Sequence, residues 1–438
     1  MKRIISDAAL IRAFSALEPY PSAALAVSGG PDSMALMHLA VRWSALAGRG
    51  RAGLAVLTVD HGLRPESRDE AAFVAAEAGR LGLVHATLDW AGEKPKTGIQ
   101  AAARRARYGL MIAYCRAHGF ACLATAHTED DQAETFLMRL RRGSGLDGLA
   151  AMAAVSEHAG VPIVRPLLGF SKARLMAYLR SAGVPFVNDP SNSNAAFERV
   201  RLRHAMKSLA AAGITRSALT LSAARLGRSR EALSQAASEF LERNFRVSNL
   251  GHGEIGLETF LKLPSEIALR VLSRVLALIG GKEEAPRMIK AERLLEELRS
   301  GKRQGALGGC LAIATPSTLH FYREPGRIGR TPLRCQPGST CIWDGRFVLT
   351  FAAGLSGDIS VAPLGAGGWA ICRKAFKDRH LALNANRLAA LTSPALWRDG
   401  LLLSAPALDF VNAKAGGNAA GAARAELVPR LSHFLKPA

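Results

Sequence analysis

The segment Ser28 to Ser33, which contains two serines, two glycines, a proline and an aspartate, could bind an anion. It follows an apolar run, Ala23 to Val27, and precedes a second one, Met34 to Leu39, so the order strand, glycine loop, helix is predicted. Backbone N–H groups and the positive end of a helix dipole then meet at one small concavity, where phosphate binds well. The paired glycines let the backbone approach phosphate oxygens closely. An ordinary strand-to-helix turn with Ser33 as the helix N-cap is the alternative.

Asp32 is a carboxylate inside this predicted anion site, a placement that makes sense when a divalent cation lies between the two negative groups. A second carboxylate, Asp131, and a histidine, His127, follow the end of another predicted strand. Mg2+ prefers oxygen ligands and takes few of them from protein, so Asp32 and Asp131 would suffice to hold it. The alternatives are that Asp131 complements a helix dipole and that His127 is a structural histidine.

The first half of the chain alternates strand and helix patterns, which predicts an α/β fold with an open parallel sheet and helices on both faces. Three polar motifs follow three predicted strands: Ser28 to Ser33, Asp60 to Arg64, and His127 to Asp131. In such folds ligands bind beyond the carboxyl ends of the strands, so we expect the motifs to converge. The sequence contains no Walker A motif, and the loop Ser28 to Ser33 does not supply the G-x-G-x-x-G of a dinucleotide site, which disfavours a P-loop kinase or a dehydrogenase.

The remainder of the sequence predicts two further domains. A long amphipathic helix begins near Thr215, and the helical and strand-like runs that follow predict a helical/mixed domain. After Pro332, short β-like runs separated by glycine and proline predict a smaller β-rich C-terminal module. The expected division is therefore residues 1–214, 215–330 and 331–438.

The charge of the chain indicates a polyanionic partner. The 438 residues contain 57 Lys and Arg against 36 Asp and Glu, a net charge of +21. Nucleic acid is the first candidate, and basicity kept only for solubility is the alternative. The six cysteines form no C-x-x-C pair and are expected to be reduced thiols. No apolar run is long enough to cross a bilayer, so we expect a cytoplasmic protein without a membrane partner.

A set of ordered motifs carries a resemblance to a known family. Ser28 to Ser33 matches the SGGxDS loop of the N-type ATP pyrophosphatases (PP-loop superfamily), which cleave ATP between the α and β phosphates. Together with this loop, further motifs in the same order resemble the tRNA(Ile)-lysidine synthase family: Val59 to Arg64, Arg104 to Tyr108, Thr125 to Thr135, Arg142 to Gly145 and Asp189 to Asn192. The resemblance is strong over the first half and extends to Leu257–Glu324. The C-terminal residues resemble the family's C-terminal module only in their position along the chain and their β-like runs.

The resemblance implies a ligase that forms a carbon–nitrogen bond on tRNA. ATP would adenylate C2 of the wobble cytidine in an isoleucine tRNA with a CAU anticodon, and free L-lysine would then displace AMP to give lysidine. The ATP-binding residues would be Ser28, Gly29, Gly30, Pro31, Asp32 and Ser33. The catalytic residues would be Asp32, His127 and Asp131, with Mg2+ held by Asp32 and Asp131. Residues expected to bind tRNA or lysine are Arg104, Arg107, Asp189, Asn192, Arg199 and Arg203.

Several alternatives stay open at this level. Free lysine is protonated at neutral pH, and either Asp131 or His127 could accept its proton. Two departures from the family pattern are Thr128, where many members have a second histidine, and Val200, where many have asparagine. Another PP-loop tRNA-modifying enzyme, such as a tRNA thiolase, is the alternative function, although the absence of a C-x-x-C pair counts against it. The oligomeric state is open, with a homodimer as one option.

Overall fold

The structure is a computed structural model that describes residues 4–62, 66–92, 94–95, 97–187, 198–329, 331–334, 336–354, 358–378, 385–412 and 423–433. The chain forms two compact units, Met1–Arg230 and Glu231–Ala438, called unit 1 and unit 2 below. The sequence predicts three domains with boundaries after residues 214 and 330, and that division stays a prediction. In the described part of the chain, no helix combines the length and apolar character needed to span a membrane.

Unit 1 alternates strands and helices, as the sequence predicts. Its elements are α1 (Asp7–Phe14), β1 (Ala23–Ala26), α2 (Pro31–Leu46), β2 (Leu54–Asp60), α3 (Ser67–Arg80), β3 (Val84–Asp89), α4 (Ile99–Ala117), β4 (Cys122–Ala124), α5 (Glu129–Arg141), α6 (Leu146–Leu149), β5 (Val155–His158), β6 (Val161–Val164), α7 (Lys172–Ser181), α8 (Glu198–Ala211) and the first part of α9 (Arg216–Asn244). The strand order is β3-β2-β1-β4-β6-β5. All neighbours are parallel except β5, which is an antiparallel edge strand on β6.

The order of the strands positions the site. From β1 the chain builds outward through β2 and β3, then returns to place β4 on the other side of β1. The carboxyl ends of β1 and β4 therefore border the point where the winding reverses, which is where open α/β sheets bind ligands. The loop Ser28–Gly30 follows β1 and the segment Thr125–Thr128 follows β4, so two of the three motifs that were expected to converge meet there.

Helices cover both faces of the sheet because alternate strand residues are apolar on both sides. Leu25 and Val56 pack with α1, α2, α3 and α7 in one buried cluster. Ala24, Leu57 and Leu123 face the opposite way and pack against α4 in another. The predicted α/β class with helices on both faces is thereby confirmed for unit 1.

The described residues of unit 2 form helices and three antiparallel sheets. Its elements are the rest of α9, β7 (Arg246–Val247), β8 (Gly253–Gly256), α10 (Leu257–Leu261), α11 (Ser265–Ile279), α12 (Met288–Arg299), β9 (Gln304–Leu307), β10 (Cys310–Ala314), β11 (Thr318–Arg323), β12 (Leu333–Arg334), β13 (Thr340–Trp343), β14 (Phe347–Phe351), β15 (Ser360–Pro363), α13 (Gly365–Asp378), α14 (Arg387–Leu391), β16 (Pro394–Arg398), β17 (Leu401–Ala405), β18 (Phe410–Val411), β19 (Ala423–Leu427) and α15 (Pro429–Ser432). The sheet orders are β7-β8-β11-β10-β9, β12-β15-β16-β17-β18 and β13-β14-β19.

One hydrophobic core runs through unit 2 and includes residues on both sides of position 330, such as Phe321 and Phe347. A buried ion-pair network crosses the same position. Arg323 Nη2 donates to Asp344 Oδ1 at 2.8 Å, and Arg346 Nε donates to Asp344 Oδ2 at 2.9 Å. The helical part and the β-rich part of unit 2 therefore share one interior.

Candidate active site

The loop after β1 ends in an uncapped helix. Gly30 occupies the N-cap of α2 and Pro31 its first position, and no side chain in the described structure caps this end. Ser33, which could have been the N-cap, instead accepts a hydrogen bond from the Ser28 N–H at 3.1 Å and donates to the Gly30 carbonyl at 2.9 Å. The first-turn N–H groups of α2 are consequently left for another acceptor, as anion sites require.

The backbone of the loop is shaped to leave room for a ligand. Gly29 has φ +82°, in the left-handed region that glycine enters readily. Its carbonyl accepts a hydrogen bond from the Val187 N–H at 2.9 Å, which fixes the loop from one side. A Cβ added to Gly30 would meet nothing closer than Ser28 Oγ at 4.0 Å, so the space in front of Gly30 is open. These features fit a cradle for phosphate.

Lys172 brings two carboxylates together. Its Nζ lies 3.4 Å from Asp32 Oδ2 and 3.2 Å from Asp131 Oδ1. Asp32 is on the first turn of α2, Asp131 on the first turn of α5, and Lys172 on the first turn of α7. The ammonium group therefore occupies a position between the two carboxylates, where it balances their charge.

The electrostatics of this trio differ between its members. Burial raises the pKa of Asp32, although the charge of Lys172 opposes this, and Asp131 raises it further. Burial would also raise the pKa of Asp131, but the Lys172 charge and the hydrogen bonds from Thr128 outweigh it, so that pKa is lowered. Burial would lower the pKa of Lys172, but Asp131 and Asp32 raise it. The surroundings thus favour the ionised form of Asp131, whereas burial disfavours the ionised form of Asp32.

Thr128 holds Asp131 in place through a capping box. It is the N-cap of α5, and Asp131 Oδ2 accepts hydrogen bonds from its N–H and its hydroxyl, each at 2.9 Å. Thr128 is fully buried. Thr128 therefore has a structural role, because it holds Oδ2 of Asp131 and leaves Oδ1 directed at Lys172.

Asp130 ties the helices that carry these residues. Its Oδ2 accepts a hydrogen bond from the Lys172 backbone N–H at 2.8 Å, and its Oδ1 lies 2.9 Å from Arg216 Nη2. Asp130 therefore links the start of α5 to the starts of α7 and α9, while Asp131 faces the site.

A second ion pair lies one helical turn further along α5. Glu134, which is buried, accepts a hydrogen bond from Arg203 Nε at 2.6 Å through Oε1. Burial would lower the pKa of Arg203, but Glu134, Asp131 and Asp32 raise it. Within the described residues, the buried Oε2 of Glu134 has no hydrogen-bond partner. An unsatisfied buried carboxylate oxygen is costly and is a natural contact for a ligand cation.

The remaining predicted residues lie in different situations. His127 is half-buried, with Nδ1 2.9 Å from Thr125 Oγ1. Arg107, on the exposed side of α4, contacts His61 Nε2 through Nη2 at 3.0 Å. Arg104, on the same helix, lies 5.1 Å above the Tyr108 ring.

Three predicted substrate residues cannot be placed in the site. Asp189 and Asn192 lie outside the described residues, as does the side chain of Arg199. Their roles stay predictions. The structure does bring Asp32, Asp131 and Arg203 into one charged cluster, to which it adds Lys172 and Glu134.

Sequence reasoning did not assign Lys172 or Glu134. Glu134 stood within the motif that follows His127 and had no role of its own. Lys172 follows the N-cap Ser171 directly, and a cation in the first turn of a helix opposes the helix dipole. That mismatch was the one local signal that could have identified it.

The donor set fits a magnesium ion. Asp32 Oδ1 is buried and has no hydrogen-bond partner among the described residues. Asp32 and Asp131 offer hard carboxylate oxygens beside an open, uncapped helix N-terminus, which is the chemistry that Mg2+ and phosphate share. The Lys172 ammonium already shows that a cation is stable between them.

The comparisons with known proteins define first the class and then the family. A profile of the PP-loop domain matches residues 7–209, and proteins of this class use ATP. The chain is 40% identical over 405 residues to the tRNA(Ile)-lysidine synthase of Ruegeria pomeroyi, covering 92% of both chains. It is 49% identical to the synthase of Bradyrhizobium sp. strain BTAi1, covering 67% of this chain and 84% of that one. It is 48% identical to the synthase of Rhodopseudomonas palustris, covering 73% and 95%.

These similarities extend well beyond the PP-loop domain and reach into unit 2. The chain belongs to the tRNA(Ile)-lysidine synthase family. The resemblance stated from the ordered motifs is thereby confirmed, and so are the α/β fold class and the use of ATP.

Proposed function

We propose that this protein ligates free L-lysine to C2 of the wobble cytidine in an isoleucine tRNA with a CAU anticodon. ATP adenylates the C2 oxygen, pyrophosphate leaves, and the lysine ε-amine displaces AMP to give lysidine. Family membership supports the overall reaction. The observation that carries the site is the Asp32–Lys172–Asp131 cluster beside the uncapped N-terminus of α2.

The chain's own groups account for ATP binding in this proposal. The loop Ser28–Ser33 and the first turn of α2 bind the phosphates through N–H and hydroxyl donors. Asp32 and Asp131 would hold Mg2+, which supplies positive charge to the departing pyrophosphate when it is bound. In the structure Lys172 neutralises the carboxylate pair. When Mg2+ takes over that role, we assign the Lys172 ammonium to a phosphate oxygen of ATP.

Lysine must lose a proton before its amine can attack. Asp131 is a weak candidate for the acceptor, because its pKa is lowered and both of its oxygens are engaged. We therefore assign the role of proton acceptor to His127, whose imidazole is oriented by Thr125. The buried Oε2 of Glu134, which has no hydrogen-bond partner among the described residues, is assigned to an ammonium group of the substrate lysine.

The cysteines argue against a thiolase. Burial raises the pKa of Cys115 to about 11 and that of Cys122 to about 12, so neither is a ready nucleophile. The other described cysteines are Cys310 and Cys372, both buried, and the half-buried Cys341. None of these described thiols forms a hydrogen bond with the carboxylate cluster. A thiolase that carries sulfur on cysteine would need a thiol at the reaction centre.

The basic character of the chain suits binding of tRNA phosphates, which positions the RNA without reading its sequence. We assign Arg104 and Arg107 to this role because both lie on the exposed side of α4. The proposed location is the cytoplasm, where charged substrates such as ATP and tRNA are dissolved. A homodimer stays a prediction.

The deciding experiment is a ligation assay. The protein is incubated with ATP, Mg2+, radiolabelled lysine and total bacterial tRNA, and we expect label in one isoleucine tRNA together with release of AMP. Asp32→Asn should abolish the label and leave tRNA binding within a few-fold of wild type. Asp69→Asn, an exposed aspartate on α3, is the matched control and should retain activity. Sulfur transfer without lysine incorporation would contradict the proposal.

A further inference from the structure

Three potential metal ligands lie on one face of the sheet in unit 2. Glu254 is in β8 and pairs directly with His320 in the antiparallel neighbour β11. His252 precedes Glu254 by two residues, so its side chain projects from the same face. The three side chains therefore form a cluster that belongs to one unit and is independent of the carboxylates in unit 1.

The distances within this cluster match those around a small divalent ion. His252 Nε2 lies 3.1 Å from Glu254 Oε1, and His320 Nδ1 lies 3.6 Å from the same oxygen. All three ligand atoms are within 4.8 Å of one another. A tetrahedral zinc with bonds of about 2.0–2.1 Å separates its ligand atoms by roughly 3.3 Å. The two measured distances from Glu254 Oε1, 3.1 Å and 3.6 Å, lie on either side of this value.

One nitrogen of the cluster lacks a protein partner. His320 Nδ1 is buried, and no described residue forms a hydrogen bond with it. The Glu254 carboxylate, at 3.6 Å, is too far for a normal hydrogen bond. A buried nitrogen directed at a carboxylate but not bonded to it would be satisfied by an ion placed between them.

The surroundings hold His252 in the orientation of a ligand. Its Nδ1 lies 2.6 Å from Ser248 Oγ, so the other ring nitrogen is the one directed at Glu254. The Ser248 N–H donates to the His252 carbonyl at 2.9 Å, which closes the turn that carries both residues. Tyr322 stacks on the His252 ring with centroids 5.3 Å apart. Metal-bound histidines are oriented by such outer contacts.

The cluster is closed on one side and accessible on the other. His252 is buried, whereas the side chains of Glu254 and His320 keep 23% and 20% of their exposure. A water could therefore complete a fourth ligand position.

We propose that His252, Glu254 and His320 form a binding site for a transition-metal ion of the Zn2+ class. Two imidazoles and one carboxylate favour such an ion over Mg2+, which prefers oxygen ligands alone. Binding would link β8 to β11 and stabilise unit 2 without contributing to ATP chemistry.

The test uses the full-length, tag-free protein stripped with a chelator. Zn2+ binding is measured by competition with a chromophoric chelator in excess Mg2+, and Co2+ is used as a spectroscopic probe of tetrahedral coordination. We expect one Zn2+ per chain. Glu254→Gln and His320→Gln should each weaken it by more than about 100-fold, because loss of an outer contact alone costs roughly 10- to 100-fold. Ser248→Ala, which removes such an outer contact, should weaken Zn2+ binding by roughly 10- to 100-fold.

Matched controls separate this site from adventitious binding. His118→Gln removes an exposed imidazole on unit 1, and Glu258→Gln removes an exposed carboxylate four residues beyond Glu254. Both should bind Zn2+ like wild type. Circular dichroism identifies any variant that fails to fold, and the remaining ligand variant then decides. Absence of stoichiometric Zn2+ binding by folded wild-type protein would overturn the proposal, as would binding that the folded ligand variants retain in full. In either case the cluster is only a set of polar side chains packed on one sheet face.

Discussion

Replacing Lys172 with methionine tests directly whether its ammonium group balances the charges of Asp32 and Asp131. The change keeps a long apolar stem and removes the ammonium group that lies 3.4 Å from Asp32 and 3.2 Å from Asp131. The two carboxylates then face each other without the cation that balances them. We expect unit 1 to lose stability at neutral pH.

The size of the loss follows from burial. The side chains of Lys172, Asp32 and Asp131 are 28%, 23% and 10% exposed. At about 3.3 Å and an effective dielectric constant of about 20, each ion pair has a Coulomb energy of roughly 5 kcal/mol. Removing one partner of a buried pair costs about 3–5 kcal/mol. Because Lys172 is partly exposed and Asp32 can take up a proton, we expect the lower end, about 3 kcal/mol at pH 7.

The pH dependence has a definite sign. The pKa of Asp131 is lowered below 3.8 in the wild type, so its stabilisation is present above that value and is lost as the pH falls through the lower, folded-state pKa. The pKa of Lys172 is raised above 10.5, so its stabilisation is present below that value and is lost as the pH rises through the folded-state pKa. The raised pKa of Asp32 opposes folding once its carboxyl ionises. Without Lys172 that pKa should rise further, and the deficit of the variant should shrink as the pH falls from 7 towards 4.

The assay is hydrogen exchange in peptides from α2 and α5 of the full-length chain, which reports the free energy of opening of unit 1. Lys207→Met, an exposed lysine on α8, is the matched control and should change this free energy by less than about 0.5 kcal/mol. Lys172→Arg retains the charge and should recover part of the loss. A deficit below about 1 kcal/mol, or one that is the same at pH 5 and pH 7, would refute the reasoning.

Three further predictions concern neighbouring groups. Thr128→Val should cost about 1 kcal/mol in the same exchange measurement, since it removes an N-cap, and should raise the pKa of Asp131; an unchanged exchange rate in α5 would contradict this. Glu134→Gln should raise the KM for lysine with little effect on the KM for ATP, because its unpaired, buried Oε2 is assigned to the lysine amine; equal effects on both KM values would argue against that assignment. Cys122 should resist thiol reagents at pH 8 until the protein unfolds, because burial raises its pKa to about 12, and rapid labelling of the folded chain would show otherwise.

Local sequence signals were sufficient for most of unit 1. The apolar runs around Leu25 and Val56 have the length of buried strands, and the glycine pair before Pro31 marks the turn into α2. The same signals were weaker in the C-terminal part. Helix α13 (Gly365–Asp378) was not predicted, because three glycines in its first turn conceal the helical pattern. The antiparallel edge strand β5 was also missed, since its pairing with β6 depends on the sheet around it.

The sequence by itself determined the α/β class and the family, and it predicted the phosphate loop and the two carboxylates, because each depends on residue types at short spacing or on motifs in a fixed order. Only the tertiary structure decided how the carboxylates are balanced. Lys172 lies 41 residues beyond Asp131, and Arg203 lies 69 residues beyond Glu134. Such pairs form when packed helices bring their N-terminal halves to one sheet edge, and no local pattern encodes which distant cation is brought there. The same holds for His252 and His320, which are far apart in sequence and come together only because β8 and β11 pair in the sheet.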